Sequence, residues 1–178
     1  SLSLLSNVND ILDFEKIEKN ELKLVHEVFN PFNAVTEISN NWKLEAQRKG
    51  LDYQFDIDPD IPDFIESDLE RFVQIINNVL SNAVKFTTKG SICFKLKCFS
   101  QPNDVNRFSL QVSDTGVGMT TETKKHIFDS FNQMRNNHKR KFGGIGVGLT
   151  IVNRLVDLFE GEITIESEFE KGCVVYID

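Results

Sequence analysis

Asn78 and Asn82 stand four residues apart in the run Asn78-Val79-Leu80-Ser81-Asn82-Ala83-Val84-Lys85-Phe86-Thr87, with Lys85 three further along. At helical spacing the three side chains share one face. An amide oxygen is a suitable hard ligand for Mg²⁺ whose charge a triphosphate already offsets, and such sites need few protein ligands. A second group is Asp114-Thr115-Gly116-Val117-Gly118-Met119. A buried carboxylate at Asp114 can accept from the exocyclic amine of adenine, a donor that guanine lacks at that position. Gly116 and Gly118 let backbone approach the base, and Met119 offers a soft apolar wall. The third group is Gly144, Gly146 and Gly148, placed just ahead of a helix, where backbone amides and the helix N-terminus can cradle phosphate.

Each group has a bland reading when taken singly: solvent-facing asparagines, a Thr-Gly turn with a solvated Asp, a flexible glycine loop. The glycine spacing is not a dinucleotide fingerprint, and no Gly in the chain is followed by Lys, which excludes a Walker A loop. Upstream of the glycines lie Arg135, His138, Lys139, Arg140 and Lys141, and no acidic residue occurs between Ser130 and Arg154. Such a charge run is usually a solvated face. On a loop that would lid a triphosphate, it reads equally as a phosphate sensor.

These groups need elements to hold them. Ser67 and Glu70 have capping-box spacing ahead of Leu69, Phe72, Val73, Ile76, Val79, Leu80 and Ala83, which predicts a helix carrying the asparagines. Residues 3 to 19 read as a helix whose stripe of Leu5, Val8, Ile11 and Leu12 needs another helix to cover it. Residues 21 to 29 read as a strand. Asn30-Pro31 opens a helix with Val35, Ile38, Trp42 and Ala46 inward and Gly50 as its C-terminal cap. Leu51, Tyr53, Phe55 and Ile57 alternate as a half-buried strand. Strands follow at 91–99 and 107–113, then a short helix near 122–128, a polar loop at 132–143 and a helix at 147–159. A hairpin of 162–166 with 173–177, turned at Lys171-Gly172, closes the chain. The mixed order predicts an α/β two-layer sandwich: one mixed sheet with helices on one face, plus a short N-terminal helix.

Composition narrows the classes. A chain of 178 residues with 40% hydrophobic residues and fifteen Phe can fill the core of one domain plus a short extra element. A net charge of −7 argues against general nucleic-acid binding. Cys93, Cys98 and Cys173 lack metal-ligand spacing and read as ordinary thiols of a reducing compartment. No apolar run approaches a membrane span and no signal-peptide pattern opens the chain. The first residue is Ser, so we expect a piece of a longer polypeptide.

The three groups, in this order and spacing, resemble the ATP-binding boxes of the sensor histidine kinases, within the superfamily that includes gyrase-type ATPases. The resemblance implies the Bergerat-type ATP-binding fold over residues 21–178. It also implies a remnant of the dimerisation and phosphoacceptor hairpin, its second helix, over 1–20. Residues 127–133 look like the family's phenylalanine box, and 161–177 like its closing hairpin. It implies ATP and Mg²⁺ as cofactors, Asn82 on the metal, and Asn78 and Lys85 on phosphate oxygens as the catalytic pair. Asp114, Gly116, Gly118 and Met119 would hold the base. Arg135, Lys139, Arg140, Lys141, Gly144, Gly146, Gly148 and Leu149 would enclose the phosphates. Ser130, Ile145 and Glu160 depart from the family's usual Pro, Thr or Ser, and Gly.

The hydrolysing relatives carry a Glu one turn before the magnesium Asn, as base for water. Here Asn78 stands there, and an amide takes no proton at neutral pH, which favours phosphoryl transfer to a protein side chain. His26-Glu27-Val28-Phe29-Asn30-Pro31 resembles the acceptor box, but it follows the hairpin stretch it should precede, so we read it as a decoy. The expectation is therefore the catalytic domain of a sensor histidine kinase, of simple or hybrid type, acting in a two-component phosphorelay. Its acceptor helix lies outside the chain, and its partners are a receiver domain and a second copy of the full-length protein. The alternative is a non-catalytic nucleotide-binding regulatory module of the same fold. The domain is expected in the cytoplasm, with no nucleic-acid partner and no membrane segment of its own, which leaves membrane anchoring of the full-length protein open.

Overall fold

A computed structural model describes residues 12, 13, 15–17, 19, 21–100, 106–128 and 148–178. Residues 12, 13 and 15–17 are helical. The elements that follow are β1 (Glu27–Phe29), α1 (Pro31–Arg48), β2 (Asp52–Ile57), β3 (Ile65–Ser67) and α2 (Leu69–Phe86). After them come β4 (Ser91–Ser100), β5 (Asn106–Asp114), α3 (Thr121–Lys125), α4 (Gly148–Leu158), β6 (Ile163–Glu168) and β7 (Gly172–Ile177).

Helix α1 begins where Asn30 Oδ1 accepts from Asn33 N–H at 2.8 Å and Pro31 takes the first helical position. It ends in a Schellman turn: Gly50 has φ +72°, its N–H donates to Gln47 C=O at 2.9 Å, and Leu51 N–H to Ala46 C=O at 3.0 Å. Helix α2 starts one residue later than the Ser67 capping box predicts. Ser67 is taken by β3, where it pairs with Glu27, and Asp68 becomes the cap, with Oδ1 accepting from Arg71 N–H at 3.0 Å. The buried Asp68 also accepts from Val25 N–H through Oδ2 at 2.8 Å. That bond takes a donor just before β1, and the strand expected over 21–29 is confined to its last three residues.

The main sheet has the order β2-β4-β5-β7-β6, with β2 and β4 parallel and the other neighbours antiparallel. β1 and β3 form a separate two-stranded sheet. Alternation along β4 puts Ile92, Phe94 and Leu96 on the buried face, and Phe94 stacks on Phe55 of β2 at 5.1 Å between ring centroids. The helices supply Val35 and Ala46 from α1, Ile76, Val79 and Leu80 from α2, and Ile151, Val152 and Leu155 from α4. Helices packed on one face of a mixed sheet make the expected two-layer sandwich. The single face also fixes the rotation of α2. Once its apolar stripe is turned to the sheet, Asn78, Asn82 and Lys85 lie along the edge of that stripe, half-buried.

Candidate nucleotide-binding site

The C-terminal end of α2 is held from α1. Lys49 Nζ donates to Val84 C=O at 2.5 Å and to Thr87 C=O at 3.1 Å, a cation placed on the negative end of the helix. Lys85 Nζ lies 5.1 Å from the centroid of the Phe86 ring. From there the chain meets the loop after β5, because Val117 N–H donates to Phe86 C=O at 3.2 Å. A Cβ at Gly116 would lie 2.5 Å from Phe86 C=O and 2.8 Å from Asp114 Oδ1, so only glycine permits this approach.

Asp114 ends β5. Its Oδ1 accepts from Gly116 N–H at 2.8 Å. Burial pushes its carboxyl above the ordinary range, against the pull of the Gly116 N–H, the nearby Thr87 hydroxyl and the Cys173 N–H. Thr87 is fully buried, and its Oγ1 makes no hydrogen bond of normal length to the described residues. Cys173, opposite Asp114 in the β5–β7 register, has its thiol pushed up to about 12, first by burial and then by the Asp114 charge. It is protonated at neutral pH.

Gly148 brings the third group to the first. A Cβ there would lie 3.2 Å from Asn78 Oδ1, so the start of α4 packs directly on the asparagine face of α2. Leu149 follows in the first turn of α4, half-buried, and Thr150 Oγ1 donates to Phe128 C=O at 3.2 Å. Met119 N–H donates to Ser167 Oγ at 2.9 Å. Gly118 has φ +61°, a conformation that favours glycine. The structure thus gathers Asn78 with Gly148, and Phe86, whose ring lies under Lys85 Nζ, with the Asp114–Met119 loop; Asn82 shares the α2 stripe. Arg135, Lys139, Arg140, Lys141, Gly144 and Gly146 lie outside the described residues, as do Ser130 and Ile145.

The residues present suit a metal-bound nucleotide. The amide side chains of Asn78 and Asn82 lie together on one half-buried face of α2, and the buried Thr87 Oγ1 has no hydrogen-bond partner of normal length among the described residues. Sequence reasoning did not single out Lys49, Thr87, Ser167 or Gly172 as part of this neighbourhood, and it read Cys173 as an ordinary thiol. Ser167 did carry a signal, since the inward positions of β6 run Ile163, Ile165 and then a hydroxyl. His26 is exposed in irregular chain ahead of β1 rather than on a helix. Among the described residues no cluster of metal-ligating side chains occurs, and no helix is long and apolar enough to cross a membrane.

Comparison with known proteins bears on the family and the fold. The family described as histidine kinase-, DNA gyrase B-, and HSP90-like ATPase matches residues 67–178. The autoinducer 2 sensor kinase/phosphatase LuxQ of Vibrio vulnificus is 38% identical over 98% of this chain, and the chain covers 20% of it. The sensor histidine kinase RcsC of Salmonella typhimurium is 38% identical over 93% of the chain, which covers 17% of that protein. The chain therefore spans a fifth or less of the length of these relatives. Among solved structures, full-length ShkA in complex with AMPPNP superposes with a TM-score of 0.79 at 27% identity, over 98% of this chain and 35% of that one. The nucleotide-free catalytic domain of the histidine kinase ThkA gives 0.61 at 20% identity, over 88% and 94%, a likeness of fold. The chain belongs to the histidine kinase-, DNA gyrase B- and HSP90-like ATPase family and is an ATP-binding catalytic domain of the sensor histidine kinase type.

Proposed function

We propose that this domain binds Mg-ATP between α2, the Asp114–Met119 loop and the start of α4. It then delivers the γ-phosphoryl group to a histidine on a hairpin helix of the full-length protein. The observation that carries the reading is the packing of Gly148 on Asn78, which joins two of the three sequence groups on one wall. Asp114 accepts from the adenine amine, Asn78 and Lys85 hold phosphate oxygens, and Asn82 holds the metal. Magnesium, when bound, neutralises charge on the phosphates and orients them. The amide of Asn78 offers water no base, so the chain's own residues act by positioning and charge neutralisation. The N-terminus of α4 and the Arg135–Lys141 basic run stabilise the moving phosphoryl group. Residues 1–20 are read as the second hairpin helix, this domain as cytoplasmic, the full-length protein as a homodimer, and the next acceptor as a response regulator or receiver domain.

Titration with Mg-ATP should raise the melting temperature of the chain with ligand concentration. No shift at millimolar ATP or ADP would remove the reading. The chain alone should show negligible autophosphorylation and little hydrolysis. Supplying the hairpin as a separate polypeptide should give acid-labile, base-stable label on that hairpin. Label on His26 of the isolated chain would overturn its assignment as a decoy. ATP binding with no transfer to the hairpin would favour a nucleotide-sensing module.

A further inference from the structure

The loop that carries Asp114 and Met119 is fastened to the β6–β7 hairpin at two points. One is backbone: Glu170 N–H donates to Val117 C=O at 2.8 Å. The other runs through a single side chain. Ser167 Oγ–H donates to Gly172 C=O at 2.7 Å, and with its proton so committed the oxygen turns a lone pair to Met119 N–H at 2.9 Å. Ser167 pairs in register with Cys173, and Cys173 with Asp114, so the hydroxyl sits two strands from the carboxylate along one rung of the sheet. Packing at this seam is close: a Cβ at Gly118 would lie 2.0 Å from Glu168 C=O, and one at Gly172 2.0 Å from Asp114 C=O.

We propose that Ser167 is a positioning residue for base selection: it holds the Met119 backbone, and with it one wall of the base pocket, in place against the Asp114 carboxylate. The proposal rests on Asp114 being the adenine reader. Ser167 itself touches no base. Asp114 is secured independently, by Gly116 N–H and Cys173 N–H. Removing the hydroxyl therefore releases Met119 while the carboxylate stays, and the pocket loses its fit to adenine without losing its phosphate contacts.

The test is the ratio of ATP to GTP affinity, measured by calorimetry with Mg²⁺ on the wild type and on Ser167→Ala, Ser167→Thr and Asp114→Asn. Loss of one hydrogen bond to a half-buried donor corresponds to about tenfold. Ser167→Ala should lose about tenfold for ATP with GTP binding unchanged, and Ser167→Thr, which keeps the hydroxyl, should restore the wild-type ratio. A merely structural role would weaken both nucleotides alike and leave the ratio intact, and that result overturns the proposal. Asp114→Asn separates the two claims. If it too keeps the wild-type ratio, the base reading itself fails; if it loses the ratio while Ser167→Ala keeps it, only the role of Ser167 fails. Should Ser167→Ala not fold, Ser167→Cys, of similar size but a poor acceptor, is read by the same ratio.

Discussion

Arg71 Nη1 pairs with Asp13 Oδ2 at 2.6 Å, and both side chains are almost buried, at 12% and 11% exposure. Gln74 Nε2 donates to the same Oδ2 at 2.8 Å, and Arg71 Nη1 also reaches Gln74 Oε1 at 2.7 Å. This triangle joins the N-terminal helical residues to the first turns of α2, the helix that carries Asn78 and Asn82. Ile17 is buried in the same apolar core as the inward side chains of α2. The N-terminal helical residues are thus fixed to the helix that carries Asn78 and Asn82.

Asp13→Ala should destabilise the chain by about 1–3 kcal/mol, because a charge-assisted network loses its common acceptor and Arg71 keeps only Gln74. The double variant Asp13→Leu with Arg71→Met should recover part of that loss, since it buries no uncompensated charge. Urea unfolding reads both, as a lower midpoint at unchanged slope for the single variant. An unchanged midpoint for Asp13→Ala would show the pair to be a surface contact of no consequence.

Asp114→Asn should weaken ATP binding roughly tenfold or more, since the acceptor proposed for the adenine amine is partly exchanged for a donor. The same change should stabilise the nucleotide-free chain at neutral pH. Burial raises the folded-state pKa of Asp114 above its ordinary value of 3.8, so the folded chain holds this proton more tightly than the unfolded chain. Its contribution is therefore most favourable at acid pH and is lost as pH rises through the folded-state value. The gain from Asn should be present at pH 7 and vanish below about pH 4, a pattern that melting curves across pH will show or refute.

Asn82→Ala should cost more affinity for ADP with Mg²⁺ than for ADP in chelator, because its proposed partner is the ion. Equal losses in the two conditions would point to a direct phosphate contact or a folding defect.

The amphipathic period of 69–86 and the alternation of 51–57 and 91–99 were legible because each reports which face is buried, and burial follows from local spacing alone. The Asn30-Pro31 cap and the Gly50 turn were legible for a similar reason: both satisfy backbone groups within a few residues. The asparagines, Asp114 and the glycines could be named from their types and spacing. What joins them could not. Ser67 looked like a cap until pairing with Glu27 drew it into β3 and left Asp68 to bind both Val25 and Arg71. Met119 meets Ser167, and Asn78 meets Gly148, only after β5, β7 and β6 align in register and α4 settles on α2. Those contacts depend on hydrogen bonds and packing between segments far apart in the chain, and no periodicity within one segment encodes its partner in another.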